Sequence, residues 1–160
     1  MDFIIRKGEI KDMASVLELI KELADFENEP DAVEINMYDL IKDGFSANPS
    51  FKTIVAELED KIVGMALFYP RYSTWKGNSI HLEDLLVKKD KRGLGIGKAL
   101  YKSFLTYAHQ QKVKRVEWVV LDWNKFAVEF YERSGAKVLN DWRTVQMDEK
   151  ALSEYINKQG

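Results

Sequence analysis

Apolar residues return at two different periods along the chain, and the change of period marks out the elements. FIIR (Phe3–Arg6) reads as a short opening strand. From Asp12 onward, Met13, Val16, Leu17, Ile20, Leu23 and Ala24 recur at helical spacing, which predicts a helix to about Glu27 with one stripe on a core. The NEP tripeptide ends it. Asn36 and Asp39 cap the first turn of a second, shorter helix that Gly44 closes. TIVAEL (Thr53–Leu58) and KIVGMALFYPR (Lys61–Arg71) flank a turn at Glu59 and Asp60, the pattern of a β-hairpin, and SIHLEDLLV (Ser79–Val87) is a further strand. A glycine-rich loop then leads into a helix through Tyr107. RVEWVVL (Arg115–Leu121) predicts a strand, Asn124 to Ser134 a helix stopped by Gly135, WRTVQM (Trp142–Met147) a last strand, and Ala151–Ile156 a closing helix. Antiparallel-looking strands followed by βαβ-like units imply an α/β fold, a mixed and mostly antiparallel sheet with helices on both faces.

Composition narrows the classes. A chain of 160 residues, 46% hydrophobic, buries one sizeable core, so a single domain over 1–160 is expected. The net charge of -2 offers no basic face for nucleic acid. Without cysteine there is no disulfide, thiol nucleophile or zinc–thiolate site. No apolar run approaches the ~18 residues of a membrane span, and MDFIIRKGEIKDM does not read as a signal peptide. A soluble cytoplasmic protein is the expectation. His81 and His109 form no metal constellation and read as non-catalytic.

The chemistry is concentrated in DKRGLGIGKAL (Asp90–Leu100). Glycines at alternate positions strip side chains from a turn that opens an amphipathic helix, where outward-pointing amides and the positive end of the dipole suit a phosphate or diphosphate. Arg92 and Lys98 add charge. A P-loop would need Ser or Thr where Ala99 stands, and a dinucleotide fingerprint would need glycine where Lys98 stands.

Arg92-Gly93-Leu94-Gly95-Ile96-Gly97 resembles the acyl-CoA diphosphate loop of the GNAT acetyltransferase superfamily, Arg/Gln-x-x-Gly-x-Gly/Ala. FENEP, DGF (Asp43–Phe45), YSTWKG (Tyr72–Gly77), HLEDLLV (His81–Val87), LDWN (Leu121–Asn124) and FYERSGA (Phe130–Ala136) are similar to its diamine (spermidine/spermine) branch, and STWKG with VLDWN to the thialysine type within that branch.

The resemblance implies the GNAT fold and an acetyl-CoA-dependent N-acetyltransferase that needs no metal. It implies that the main chain of Leu85, Leu86 and Val87 pairs with the pantetheine arm and that the Gly93–Lys98 amides take the diphosphate. Asn124, with Lys125, Phe126 and Ala127 beside it, would add a coenzyme A contact; an ordinary N-cap explains Asn124 as well. Tyr131 corresponds to the general acid, since a phenol with an ordinary pKa near ~10 stays protonated and can donate to the departing thiolate; a core aromatic is the alternative. Glu83 corresponds to the group that takes the amine proton through water. Successive strand residues point to opposite faces, so only one of Glu83 and Asp84 shares a face with Leu85. Asp84 reads as a structural acid or a second amine contact.

Phe26, Glu27, Trp75 and Asp141 match positions flanking the amine, and Glu27 suits a distal ammonium. Ser73-Thr74-Trp75 lacks the acidic residue that the polyamine enzymes place there, so thialysine, lysine or a short diamine fits better than spermine. A non-catalytic acyl-CoA-binding module and a protein-lysine acetyltransferase remain the other readings. The resemblance further implies a homodimer with the last strand at its interface.

Overall fold

In a computed structural model the chain is described over residues 2–159. It forms two compact units, Met1–Val119 and Val120–Gly160. The first holds a five-stranded sheet in the order β1 (Ile4–Lys7), β2 (Lys52–Leu58), β3 (Lys61–Ser73), β4 (Gly77–Val87), β5 (Val116–Glu117). Every pairing is antiparallel except β4 with β5, which is parallel. The expected mixed, mostly antiparallel sheet is therefore present, accompanied by α1 (Met13–Phe26), α2 (Met37–Phe45) and α3 (Ile96–Gln110).

Met13, Val16 and Ala24 of α1 are buried as their spacing predicts, and Leu19 joins Met13 and Val16 in a cluster with Leu40, Val55, Ile62, Met65, Leu67 and Leu86. α3 buries Ile96, Leu100, Tyr101, Phe104 and Ala108, and the Phe104 ring lies 5.2 Å from that of Phe68 on β3. At the start of α2, Asn36 accepts from the amides of Tyr38 and Asp39 while Asp39 accepts from that of Asn36, a reciprocal cap. Gly44 does not close this helix, which runs on to Phe45. Its lack of a side chain serves packing instead, since a Cβ there would stand 2.7 Å from the Phe51 ring.

Asp12, only 4% exposed, is gripped by Arg6, whose Nη1 and Nη2 donate to its two oxygens at 2.7 and 2.9 Å while Nε donates to Glu57 at 2.7 Å. The Glu9 amide adds a donor to Asp12 at 2.8 Å. These contacts tie β1 and β2 to the entrance of α1. The guanidinium holds the Asp12 carboxyl below its ordinary range, against the opposing effect of burial.

The second unit contains α4 (Lys125–Arg133) and α5 (Glu149–Gln159), so the helix expected from Asn124 and the closing helix are both present. Two strand expectations are corrected. The strand foreseen over Arg115–Leu121 is reduced to Val116–Glu117, which pair with Ile80 and His81. The parallel ladder stops just before an irregularity in β4 at Glu83, and a bulge of this kind interrupts pairing. Among the described residues, 142–147 are in no strand. β-propensity specifies side-chain types, whereas a strand also needs a hydrogen-bonded neighbour, and no ladder reaches this stretch.

Candidate active site

β4 carries the candidate chemistry, and its register shows why. Leu82 pairs with Phe68 and Asp84 with Leu67, so Glu83 is the extra residue of a β-bulge. The bulge breaks the simple alternation expected of the Glu83–Asp84 pair. Glu83 is half-exposed, and its Oε2 accepts from the Tyr69 hydroxyl at 2.7 Å while standing 3.5 Å from His81 Nε2. Tyr69 and His81 are partners across the ladder, their ring centroids 5.2 Å apart.

Asp84 has the opposite environment to a paired acid. Burial first, then the charges of Glu83 and Glu27, push its carboxyl up to about 7. Glu27, just past the end of α1, is also raised, by partial burial and by the charge on Glu83. Burial, followed by the hydrogen bond to Glu83, pushes the Tyr69 phenol up to about 12. Glu27, Glu83 and Asp84 thus lie near enough for the charge of Glu83 to act on both of the others. Such a cluster favours an incoming ammonium, whose charge relieves the repulsion.

Past the bulge, Leu85, Leu86 and Val87 pair with Ala66, Met65 and Gly64 of β3. Toward β5 the ladder among the described residues ends at His81, so the opposite edge of this stretch has no strand on it. β4 then runs through a short turn of 3-10 helix into the glycine loop. Gly93 and Gly95 both adopt φ 82°, a left-handed conformation that side chains disfavour, and an added Cβ at either would meet nothing within 4 Å. Backbone geometry, not crowding, selects glycine here, and open space is left over the turn. Gly95 is the N-cap of α3 and has no side chain to occupy the amides of the first turn. The residues therefore fit an anionic diphosphate.

Arg92 is steadied on two sides. Its Nε donates to the Val87 carbonyl at 3.1 Å, and its guanidinium carbon lies 5.6 Å from the centre of the Phe26 ring, a cation–π contact. The Lys89 amide donates to Glu22 of α1 at 2.9 Å. Phe26, expected beside the amine, is placed by these contacts against the loop. Trp75 lies in the turn between β3 and β4, its amide donating to Ser73 Oγ at 3.2 Å, and is largely exposed.

In the second unit, Asn124 caps α4 by accepting from the Ala127 amide at 3.3 Å, which supports the capping reading. Lys125 and Phe126 are exposed and Ala127 half-buried in the first turn. Tyr131 is half-buried, 5.4 Å from Phe130 ring to ring, and its carbonyl accepts from Ser134 Oγ at 2.6 Å. Asp141 is exposed near a turn in which Trp142 N donates to the Leu139 carbonyl at 3.3 Å. Among the described residues, no group of three metal-ligating side chains comes together, and no helix is long and apolar enough to cross a membrane.

Sequence reasoning passes over Tyr69 and sets His81 aside. Neither is marked by a motif role, and what brings both to Glu83 is ladder register.

Comparison with known proteins gives consistent results. Residues 15–136 match the Acetyltransferase (GNAT) family. A thialysine N-epsilon-acetyltransferase from Sus scrofa is 36% identical over 97% of this chain and 98% of its own length. A spermidine/spermine N(1)-acetyltransferase-like protein 1 from Homo sapiens is 34% identical over 94% of this chain, which spans only 23% of that protein. Among solved structures, an integron cassette protein from the mobile metagenome of V. cholerae superposes with a TM-score of 0.79 at 24% identity, covering 98% of both chains. An aminoglycoside acetyltransferase from an uncultured soil metagenomic sample gives 0.71 at 20% identity, over 90% of this chain and 97% of that one. These two likenesses concern the fold.

Proposed function

Because the chain belongs to the GNAT acetyltransferase family, in its diamine acetyltransferase branch, we propose that it moves an acetyl group from acetyl-CoA to the primary amine of a small molecule such as thialysine, lysine or a short diamine. The observation that carries this reading is the course of β4, which presents Glu83 and Asp84 at its bulge and leads through a few residues to a glycine-rich turn at a helix N-terminus. Acetyl-CoA supplies the activated thioester. The amides of Gly93 to Lys98 hold its diphosphate, with Arg92 and Lys98 adding charge, and the main chain of Leu85 to Val87 pairs with its pantetheine arm.

At the acceptor side, Glu27 and Asp84 attract the ammonium, and Glu83 takes its proton so that the nitrogen lone pair is free to attack. As the new N–C bond forms and the C–S bond breaks, Tyr131 gives the sulfur its proton, and the second proton that the nitrogen sheds on becoming an amide passes through water to restore the Tyr131 phenol. Asn124 to Ala127 add to the coenzyme site, while Trp75 and Asp141 border the amine. The chain acts as a single acetyltransferase domain over 1–160, working in the cytoplasm as a homodimer.

Three carboxylates in one cluster suit a compact cationic amine, and Ser73 leaves the Trp75 turn without a further acidic anchor for a long polyamine. A panel of thialysine, lysine, putrescine, spermidine and spermine assayed with acetyl-CoA should show highest kcat/KM for the first three. Turnover with none of them would refute the activity, and preference for spermine would refute the substrate class. Sedimentation of the same preparation should give a dimer, and a monomer at micromolar concentration would rule out the assembly.

A further inference from the structure

Two side chains on neighbouring strands converge on a single oxygen. Tyr69 of β3 donates to Glu83 Oε2 at 2.7 Å, and Nε2 of His81 on β4 stands 3.5 Å from the same atom. We propose that Tyr69 and His81 are positioning residues for acetyl transfer: the Tyr69 hydroxyl and His81 Nε2 hold Glu83 through Oε2 and leave its other oxygen for the amine proton. This rests on the reading of Glu83 as the proton-taking group.

The geometry of His81 fixes which nitrogen serves. The residue is 9% exposed, and its Nδ1 is buried with no hydrogen-bond partner among the described residues. A neutral ring with its proton on Nδ1 would bury an unmatched donor and turn its other lone pair toward a carboxylate. Placing the proton on Nε2 avoids both. The ring is held by its stacking on Tyr69, 5.2 Å between centroids at 32°. Tyr69 remains a donor through neutral pH, since its phenol is raised.

Charge distribution makes these donors matter. The surrounding charged and titratable groups are Asp84 on β4, Glu27 at the end of α1, Arg71 on β3, and Glu117 on β5, in register beside His81. Arg71 is paired with Glu117 at 2.7 Å, and Arg115 lies 3.4 Å from the same carboxylate. Three acids crowded together shed protons in an order set by their hydrogen bonds. Asp84 and Glu27 are both pushed toward the protonated form, whereas Glu83 accepts from the Tyr69 hydroxyl and has His81 Nε2 at 3.5 Å.

The test is the pH profile of kcat/KM for the best amine of the panel, in the parent and in Tyr69→Phe, His81→Phe and His81→Gln. A hydrogen bond to a charged group is worth about one pKa unit or more, so Tyr69→Phe and His81→Phe should each move the acid limb upward by about one pH unit, roughly a tenfold loss below the limb. The alkaline plateau and the affinity for coenzyme A should stay at parent values. His81→Gln, which retains an N–H donor, should restore most of the limb. Unmoved limbs in both Phe variants overturn the proposal, as does a uniform loss at every pH, which denotes packing alone. Tyr69→Phe deletes one oxygen and keeps the ring, so it keeps the test decisive even where a histidine variant fails to fold. Absence of transfer by the parent overturns the acetyltransferase reading and this inference with it; parent activity with unmoved limbs overturns only this one.

Discussion

Asp12 and Asp84 are aspartates withdrawn from water in the same unit, yet they are driven in opposite directions. Asp12 meets a forked guanidinium and a backbone amide, and its proton is held off. Asp84 has no cation beside it among the causes of its shift, and burial first, then the charges of Glu83 and Glu27, push it up to about 7. A buried charge closed by its counter-charge belongs to the fold, because nothing remains for a ligand to supply. A crowd of like charges is incomplete until a cation arrives, and a protein retains such a cost where it binds or reacts.

The largest effect should come from opening the closed site. Arg6→Met leaves the Asp12 carboxylate buried without its cation, and such a break costs about 3–5 kcal/mol. Urea unfolding at pH 7 measures it, and a loss within ~0.5 kcal/mol, the scale of an ordinary surface substitution, would dissolve the distinction between the two aspartates.

A smaller effect separates them by sign. Asp12 has a lowered folded pKa, so its contribution is fully present above the unfolded value near ~3.9 and is lost as pH falls through the folded one. Asp84 is raised, so the native state holds its proton longer than the unfolded chain does. Stability then declines as pH climbs from ~4 through about 7, and stays reduced above that. Asp84→Asn should accordingly raise stability at pH 8 by about 2 kcal/mol, allowing for screening at a half-buried group, and change little at pH 4. Asp12→Asn should destabilise at pH 8. Thermal unfolding of both variants at both pH values checks the pattern, and the same sign at pH 8 would contradict it.

How much of the molecule is legible in the sequence depends on distance along the chain. The Asn36–Asp39 cap, the Glu59–Asp60 turn, the α1 stripe and the glycine entrance to α3 are each set by residues a few positions apart, and each is present. Motifs point to Glu83, Asp84 and Glu27, but the bulge that sets Glu83 apart depends on the register of β3 against β4. That register also brings Tyr69 to His81, and no local signal discloses it. The Arg6–Asp12–Glu57 contacts join segments up to 51 positions apart and are hidden for the same reason. The stretch 142–147 has strand-forming residues, and propensity alone does not supply a partner strand.

The central claim is that the like-charged cluster is the amine end of an acetyltransferase site and that Glu83 draws off the proton. Glu83→Gln keeps the shape and removes the charge, so it should leave coenzyme A affinity and melting temperature near parent values while lowering kcat/KM for the preferred amine by about a hundredfold at pH ~7.5. A Glu83→Gln protein that acetylates that amine at the parent rate would contradict the account.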